Sequence, residues 1–233
     1  MNLVFDGVRG VLYPPMHLGV SWSIDGLEHI PTEGGVILAS NHTSYLDPLA
    51  LGYFATKRGR RTRFLTKEEL FAKPVIGPLF ASIGHIPVKR GTAGAANSLV
   101  AAEAALRAGR CIAVFPEGTI SLDLDPMAGK TGAARLAATT GAPIVPIGLW
   151  GLHRIMFKGR KPRWRSGIAE VVKIGPPLSV APDDDVAEAT DRIMVAICEQ
   201  VQRARAAYPQ VPAPGEGDWW IRAPETAVLR SCR

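Results

Sequence analysis

Apolar residues in this chain gather into short runs, separated by longer stretches in which they recur with helical spacing. Val36-Ile-Leu-Ala39 is an unbroken apolar run, as expected of a strand buried on both faces. Residues 19–24, 35–40, 62–66, 111–115, 144–148 and 168–174 are expected to be strands. The short 144–148 run carries Pro146 and follows Pro143, which favours an edge position. Helices are expected from about Tyr45 to Thr56, Ala93 to Ala108, Thr131 to Thr140 and Asp183 to Ala207. The second of these is rich in alanine and ends at Gly109. The last opens on Asp183, Asp184 and Asp185 and closes with Arg203 and Arg205, matching the helix dipole. Leu3, Val4, Val8, Val11 and Leu12 predict a short amphipathic helix stopped by Pro14-Pro15. Residues 68–82 are interrupted by Pro74 and Pro78 and read as broken helix and loop, residues 120–130 as a polar loop. From Tyr208 onward, Pro and Gly around Trp219-Trp220 predict an irregular tail. Strands alternating with helices give an α/β fold, a single domain with a mostly parallel central sheet flanked by helices.

Composition narrows the class. A chain of 233 residues with 47% hydrophobic content accommodates one domain and a sizeable core. Cysteines 111, 198 and 232 lack metal or disulfide spacing, which suits a reducing cytosol. No uncharged apolar run is long enough for a transmembrane helix, and the first residues lack the profile of a secretory signal. Net charge is +6, with cations clustered at Lys57, Arg58, Arg60, Arg61, Arg63 and Lys67, and again over Phe157–Arg165. Basic clusters interleaved with Phe and Trp suit an anionic bilayer surface, and on charge alone nucleic acid equally. No helix-turn-helix, zinc-finger or RNA-binding signature accompanies them, so no nucleic-acid partner is expected.

Candidate chemistry begins at Asn41-His-Thr-Ser-Tyr-Leu-Asp47, where the buried strand ends and a helix should begin. Ser44 is a plausible N-cap, with Asp47 three positions on completing a capping-box pattern. Helical side chains lean toward the N-terminus, which directs the Asp47 carboxylate at His42. A carboxylate on one ring nitrogen fixes the tautomer and leaves the other as a base. The opposing reading is a capped helix beside an ordinary loop histidine. A second segment, Phe115-Pro-Glu-Gly-Thr119, ends another apolar run and presents Glu117 at a strand's carboxyl end, where open α/β sheets place ligands.

Together, NHTSYLD, FPEGT and Ala142-Pro-Ile-Val-Pro-Ile-Gly148 resemble the glycerolipid acyltransferases, specifically the bacterial 1-acylglycerol-3-phosphate acyltransferase family. Gly84-His-Ile-Pro-Val-Lys-Arg90 matches a fourth family block, and Lys67-Glu-Glu-Leu70 the link between the first two. The resemblance covers roughly residues 34–150. It implies acyl transfer from a thioester of CoA or acyl carrier protein to the free hydroxyl of lysophosphatidic acid. With the pattern read above, the chain divides into an amphipathic segment 1–18, an acyltransferase domain 19–207 and a tail 208–233. It makes His42 the general base, oriented by Asp47, with Asn41, Lys67, Lys89, Arg90, Glu117, Gly118, Thr119 and Lys130 around the substrates. Backbone N–H groups near Gly118 or Thr119 would take the oxyanion, and Glu117 would belong to the acceptor site. Arg90 with Lys89 is the expected phosphate contact. One departure stands out: Ile120 occupies the place of the family's usual Arg, which leaves Arg90, Lys89, Lys130 or Arg135 as candidates for that cation. The interrupted stretch 68–82 either walls an acyl groove or packs in the core. A peripheral position on the cytoplasmic face of the plasma membrane follows, with no cofactor and no metal.

Other chemistries lack their residues. Gly-x-Ser-x-Gly is absent, the phosphate loop suggested by Gly129-Lys-Thr131 has Leu124 where its first glycine belongs, and no histidine pair has zinc-ligand spacing. The alternatives left open are a different acceptor, such as glycerol 3-phosphate or another lysolipid, and a non-catalytic lipid-binding protein.

Overall fold

The computed structural model describes residues 3–88, 94–212, 214 and 216–221. Seven strands form one sheet: β1 (Val20–Asp25), β2 (Val36–Ser40), β3 (Thr62–Lys67), β4 (Ile86–Val88), β5 (Cys111–Val114), β6 (Ile144–Trp150) and β7 (Ile168–Ile174). Their spatial order is β1-β7-β6-β2-β5-β3-β4. Every pairing is parallel except that of β6 with β7. The helices are α1 (Leu3–Gly19), α2 (Asp47–Thr56), α3 (Glu68–Phe71), α4 (Ile76–Ile83), α5 (Gly94–Arg107), α6 (Gly132–Thr140) and α7 (Val186–Ala206).

Strand β2 shows why the apolar runs are continuous. Val36 and Leu38 enter a core layer with Leu51 and Phe54 of α2. Ile37 and Ala39 enter the opposite layer, against Leu136 of α6 and Ile193, Ile197 and Val201 of α7. Successive strand side chains point to opposite faces, so a strand covered on both sides must be apolar throughout. The same alternation divides β6, with Ile144 and Trp150 on one face and Val145, Ile147 and Leu149 on the other. Gly148 is required where α7 crosses this strand, because an added Cβ would lie 2.2 Å from the Gln200 carbonyl carbon.

Several expectations are corrected. Strand β6 lies inside the sheet, between β7 and β2, despite Pro146. Its carbonyl accepts the Gly175 N–H, so the side of the proline without a donor faces the point where the β7 ladder is just starting. Helix α1 runs through Pro14-Pro15 to Gly19, pinned by buried Phe5 and Met16 near its two ends. Within residues 68–88, α3 and α4 pack so closely that Gly77 leaves no room for a Cβ against the Phe71 carbonyl. The three-residue edge strand β4 tolerates Pro87 there. Cys111, on β5, is a buried free thiol that burial pushes up to about 12. Within the tail, described as far as residue 221, Glu216 forms a buried ion pair with Arg154 at 2.8 Å, and Trp220 is 1% exposed beneath that guanidinium.

Candidate active site

The parallel strands β2, β5 and β3 place their following loops at one edge of the sheet, because Ala39 is in register with Val114 and Phe64 with Ala113. The loop after β2 carries Asn41 to Leu46, and the loop after β5 carries Phe115 to Thr131. They meet through hydrogen bonds. Glu117 Oε1 accepts the His42 N–H at 2.9 Å, and Ser121 N–H donates to the His42 carbonyl at 2.8 Å. Both main-chain polar groups of His42 are thus held by the second loop.

The His42 ring is oriented by three contacts of different kinds. Its Nδ1 lies 3.0 Å from Asp47 Oδ2, on a carboxylate that is 1% exposed. Below it, the Phe115 ring stacks at 4.0 Å between centroids and 16° between planes, and Phe64 stacks in turn beneath Phe115. The imidazole itself keeps 16% exposure, and Nε2 has no hydrogen-bond partner among the described residues. With Nδ1–H donating to the carboxylate, Nε2 is the free basic nitrogen.

Asp47 is the hub of its loop. The same Oδ2 accepts the Thr43 and Ser44 N–H groups, both at 2.7 Å. The carboxylate therefore turns back from the first turn of α2, as its position predicts. Ser44 is not the N-cap: Leu46 holds that position, with no side-chain cap. Instead the Ser44 hydroxyl donates to the Leu152 and Met156 carbonyls at 3.1 and 2.8 Å, tying the loop to the short 3-10 turn at 152–154. That turn is held from below by Glu170, whose Oε2 accepts the Leu152 N–H at 2.7 Å. Glu170 is fully enclosed, and burial together with the Asp47 charge raises its carboxyl well above the ordinary range.

Glu117 differs from its expected role. It is 4% exposed, and its second oxygen accepts the Met127 N–H at 3.1 Å, so both oxygens hold main chain rather than face an acceptor. Burial pushes the carboxyl up to about 7, against the lowering effect of the two amides and with a further push from Asp47. Asn41 is likewise structural. Its amide bridges to the Leu149 main chain in both directions, at 3.0 and 2.8 Å, with no exposed surface. Gly118 has φ of 72°, and its N–H closes a turn onto the Phe115 carbonyl at 2.9 Å, so it is not available as an oxyanion donor. Exposed Thr119, next along, makes no main-chain hydrogen bond as donor among the described residues.

Of the cations, Lys130 is exposed and lies across Gly118, with Nζ 2.9 Å from where a Cβ there would stand. Ile120 is 5% exposed and packs inward, so the expected Arg position is part of the interior. Lys67 is exposed at the end of β3, on the same edge of the sheet, and Arg135 is exposed on α6. Lys89 and Arg90 lie outside the described residues. Much of the first basic cluster is structural: Arg60 is buried against the Gly34 and Gly109 carbonyls, Arg58 reaches the Ile30 carbonyl, and Arg61 pairs with Asp6. The second cluster, 158–165, is exposed, with Trp164 at 72%. The motifs themselves pointed to His42 and Asp47. The aromatic support from Phe115 and the ties through Ser44, Ser121 and Met127 leave no local signal, because each depends on a partner far away in sequence.

Residues 22–150 match the family model described as Acyltransferase. A chloroplastic 1-acyl-sn-glycerol-3-phosphate acyltransferase of Brassica napus is 35% identical over 153 residues, 64% of this chain and 43% of that protein. The 1-acyl-sn-glycerol-3-phosphate acyltransferase of Borreliella burgdorferi is 30% identical over 164 residues, 70% of this chain and 63% of the relative. The chain thus spans about half the length of the curated relatives it matches. The crystal structure of the 1-acyl-sn-glycerophosphate acyltransferase PlsC from Thermotoga maritima superposes with a TM-score of 0.69 at 26% identity, over 88% of this chain and 85% of that one. The family model covers most of the sheet and both loops that build the site, and the chain belongs to the acyltransferase family.

Proposed function

We propose that this protein transfers a fatty acyl group from an acyl thioester, of CoA or acyl carrier protein, to the free hydroxyl of lysophosphatidic acid, giving phosphatidic acid. The observation that carries the reading is the His42 Nδ1 to Asp47 Oδ2 contact at 3.0 Å, with the opposite ring nitrogen at the open edge of the sheet. In the reaction the acceptor hydroxyl gives its proton to His42 Nε2 as its oxygen bonds to the thioester carbonyl carbon. Asp47 stabilises the imidazolium so formed. The tetrahedral oxyanion takes a hydrogen bond from the Thr119 N–H. Collapse breaks the carbon–sulfur bond, and the imidazolium returns its proton to the departing thiolate. Glu117 and Phe115 hold the base in place, one by its main chain and one by its ring. Lys130 contacts the acceptor phosphate, joined by Lys67, Lys89 and Arg90.

The substrates are amphiphiles, so the reaction belongs at a membrane surface. No helix among the described residues is long and apolar enough to cross a membrane. Support for peripheral docking comes from α1, where Leu3, Val11 and Leu18 are 74, 72 and 82% exposed, and from the basic loop around Trp164. The cytoplasmic face of the plasma membrane is the site we assign. A different acceptor, glycerol 3-phosphate or another lysolipid, is favoured by one observation only, the apolar burial of Ile120 in the family's Arg position.

The test mixes purified protein with acyl-CoA or acyl carrier protein thioester and a panel of lysolipids, following free thiol. Turnover that requires lysophosphatidic acid is the expected result. Thiol release without any acceptor would indicate a thioesterase, and lipid binding without turnover a binding protein.

A further inference from the structure

Behind the active site, the end of α7 grips the loop that follows Glu117. Arg205 donates from Nη1 to Asp125 Oδ1 and from Nη2 to the Leu124 carbonyl, both at 2.6 Å. Its guanidinium carbon lies 4.2 Å from the Trp150 ring centroid, which sets the plane of the fork. Side-chain exposure is 16% for Arg205 and 7% for Asp125, so the pair is only weakly screened by solvent. Leu124 has φ of 65°, a backbone region that a leucine occupies only when its surroundings hold it there. The Arg205 hydrogen bond to the Leu124 carbonyl and the burial of the leucine side chain, 2% exposed, both restrain it.

From these two loop residues, two short paths lead to the base. The Asp125 carbonyl accepts the Ser121 hydroxyl at 2.7 Å, and the Ser121 N–H donates to the His42 carbonyl at 2.8 Å. Two residues beyond Asp125, the Met127 N–H holds Glu117 Oε2 at 3.1 Å, while Glu117 Oε1 takes the His42 N–H at 2.9 Å. Arg205 lies outside the segment matched by the family model, residues 22–150, so the tie comes from this chain's own C-terminal helix.

We infer that Arg205, through Asp125 and Leu124, is a positioning residue for acyl transfer, fixing the loop whose Glu117 and Ser121 clamp the main chain of His42. The inference rests on His42 being the general base. An ion pair that only anchored the end of α7 would alter stability and leave the turnover of each folded molecule unchanged. A positioning role affects the chemical step, because small displacements of a base from its attack geometry reduce rate steeply.

The experiment compares Arg205→Met and Asp125→Asn with Arg203→Met, an exposed cation of the same helical turn that pairs with Asp25. Turnover and acceptor KM are measured well below each variant's melting midpoint and normalised to the folded fraction from circular dichroism. Arg205→Met is expected to lower kcat about 10–100-fold with KM within about twofold, the pattern of an interaction needed in the transition state. Asp125→Asn should show a smaller loss of the same kind, and Arg203→Met none. Unchanged kcat per folded molecule in Arg205→Met overturns the inference; if that variant does not fold, unchanged kcat in Asp125→Asn does so. His42→Ala is run beside them. If it is inactive while the Arg205 and Asp125 variants are fully active, the inference alone fails, whereas an active His42→Ala removes the functional reading beneath it.

Discussion

Glu117 holds His42 by its main chain rather than its ring, accepting the His42 N–H at 2.9 Å while its other oxygen takes the Met127 N–H. A carboxylate accepting two amides in an enclosed site acts as a strut between two loops. The ring of His42 is then left to Asp47 and Phe115.

That strut should make the protein pH-sensitive in a defined direction. Burial raises the Glu117 carboxyl from 4.5 to about 7, so the folded chain binds this proton more tightly than the unfolded one. Its stabilising contribution is full below the unfolded value of 4.5 and is lost as pH rises through 7. The size is roughly 3 kcal/mol by linkage. Thermal midpoints from pH 4 to 8 should therefore fall more steeply for the native chain than for Glu117→Gln. Parallel curves would refute the assignment.

Replacing Asp47 by Asn removes the charge opposite the imidazolium and disturbs an oxygen that accepts from His42, Thr43 and Ser44 together. Turnover should fall by about 100-fold or more, with a stability loss of about 1–3 kcal/mol from imperfectly paired buried donors. Denaturant unfolding together with steady-state kinetics checks both effects. Retained activity would show that the carboxylate serves only the loop.

Phe115→Ala takes away the ring stacked under His42 but leaves the Asp47 bond. A loosened base should lower kcat about tenfold, with a stability cost of about 1–3 kcal/mol. Phe115→Tyr keeps the stack and should restore turnover. If the Ala and Tyr variants are equally active, the stack has no positioning role.

How much of this was legible in the sequence depends on the range of the interaction. The Asp47 to His42 contact could be read from spacing, because a helical side chain in the first turn leans back over the residues before it. The doubly covered parallel sheet was legible from unbroken apolar runs such as Val36 to Ala39. Pro146 misled, since proline normally marks an edge, and only the position where the β7 ladder begins makes it acceptable inside. The family resemblance places Glu117 and Asn41 around the substrates. Their burial and main-chain partners, His42 and Met127 for one and Leu149 for the other, are three-dimensional facts. Basic residues 57–63 looked like a surface patch until Arg60 proved to be enclosed by backbone carbonyls.

The proposed reaction gives Lys130, exposed beside Gly118, the acceptor phosphate, with Ile120 buried in the interior. Lys130→Ala should raise the KM for lysophosphatidic acid about tenfold, the scale of one charge-assisted hydrogen bond. An uncharged monoacylglycerol acceptor should be unaffected. Equal KM values for lysophosphatidic acid in both proteins would remove Lys130 from the acceptor site.

Acyl transfer by a folded His42→Ala variant measures the central claim most directly. With acyl-CoA and lysophosphatidic acid, kcat should drop by about 100- to 10,000-fold while circular dichroism stays native. A His42→Ala protein that still makes phosphatidic acid at the unmodified rate would contradict the account.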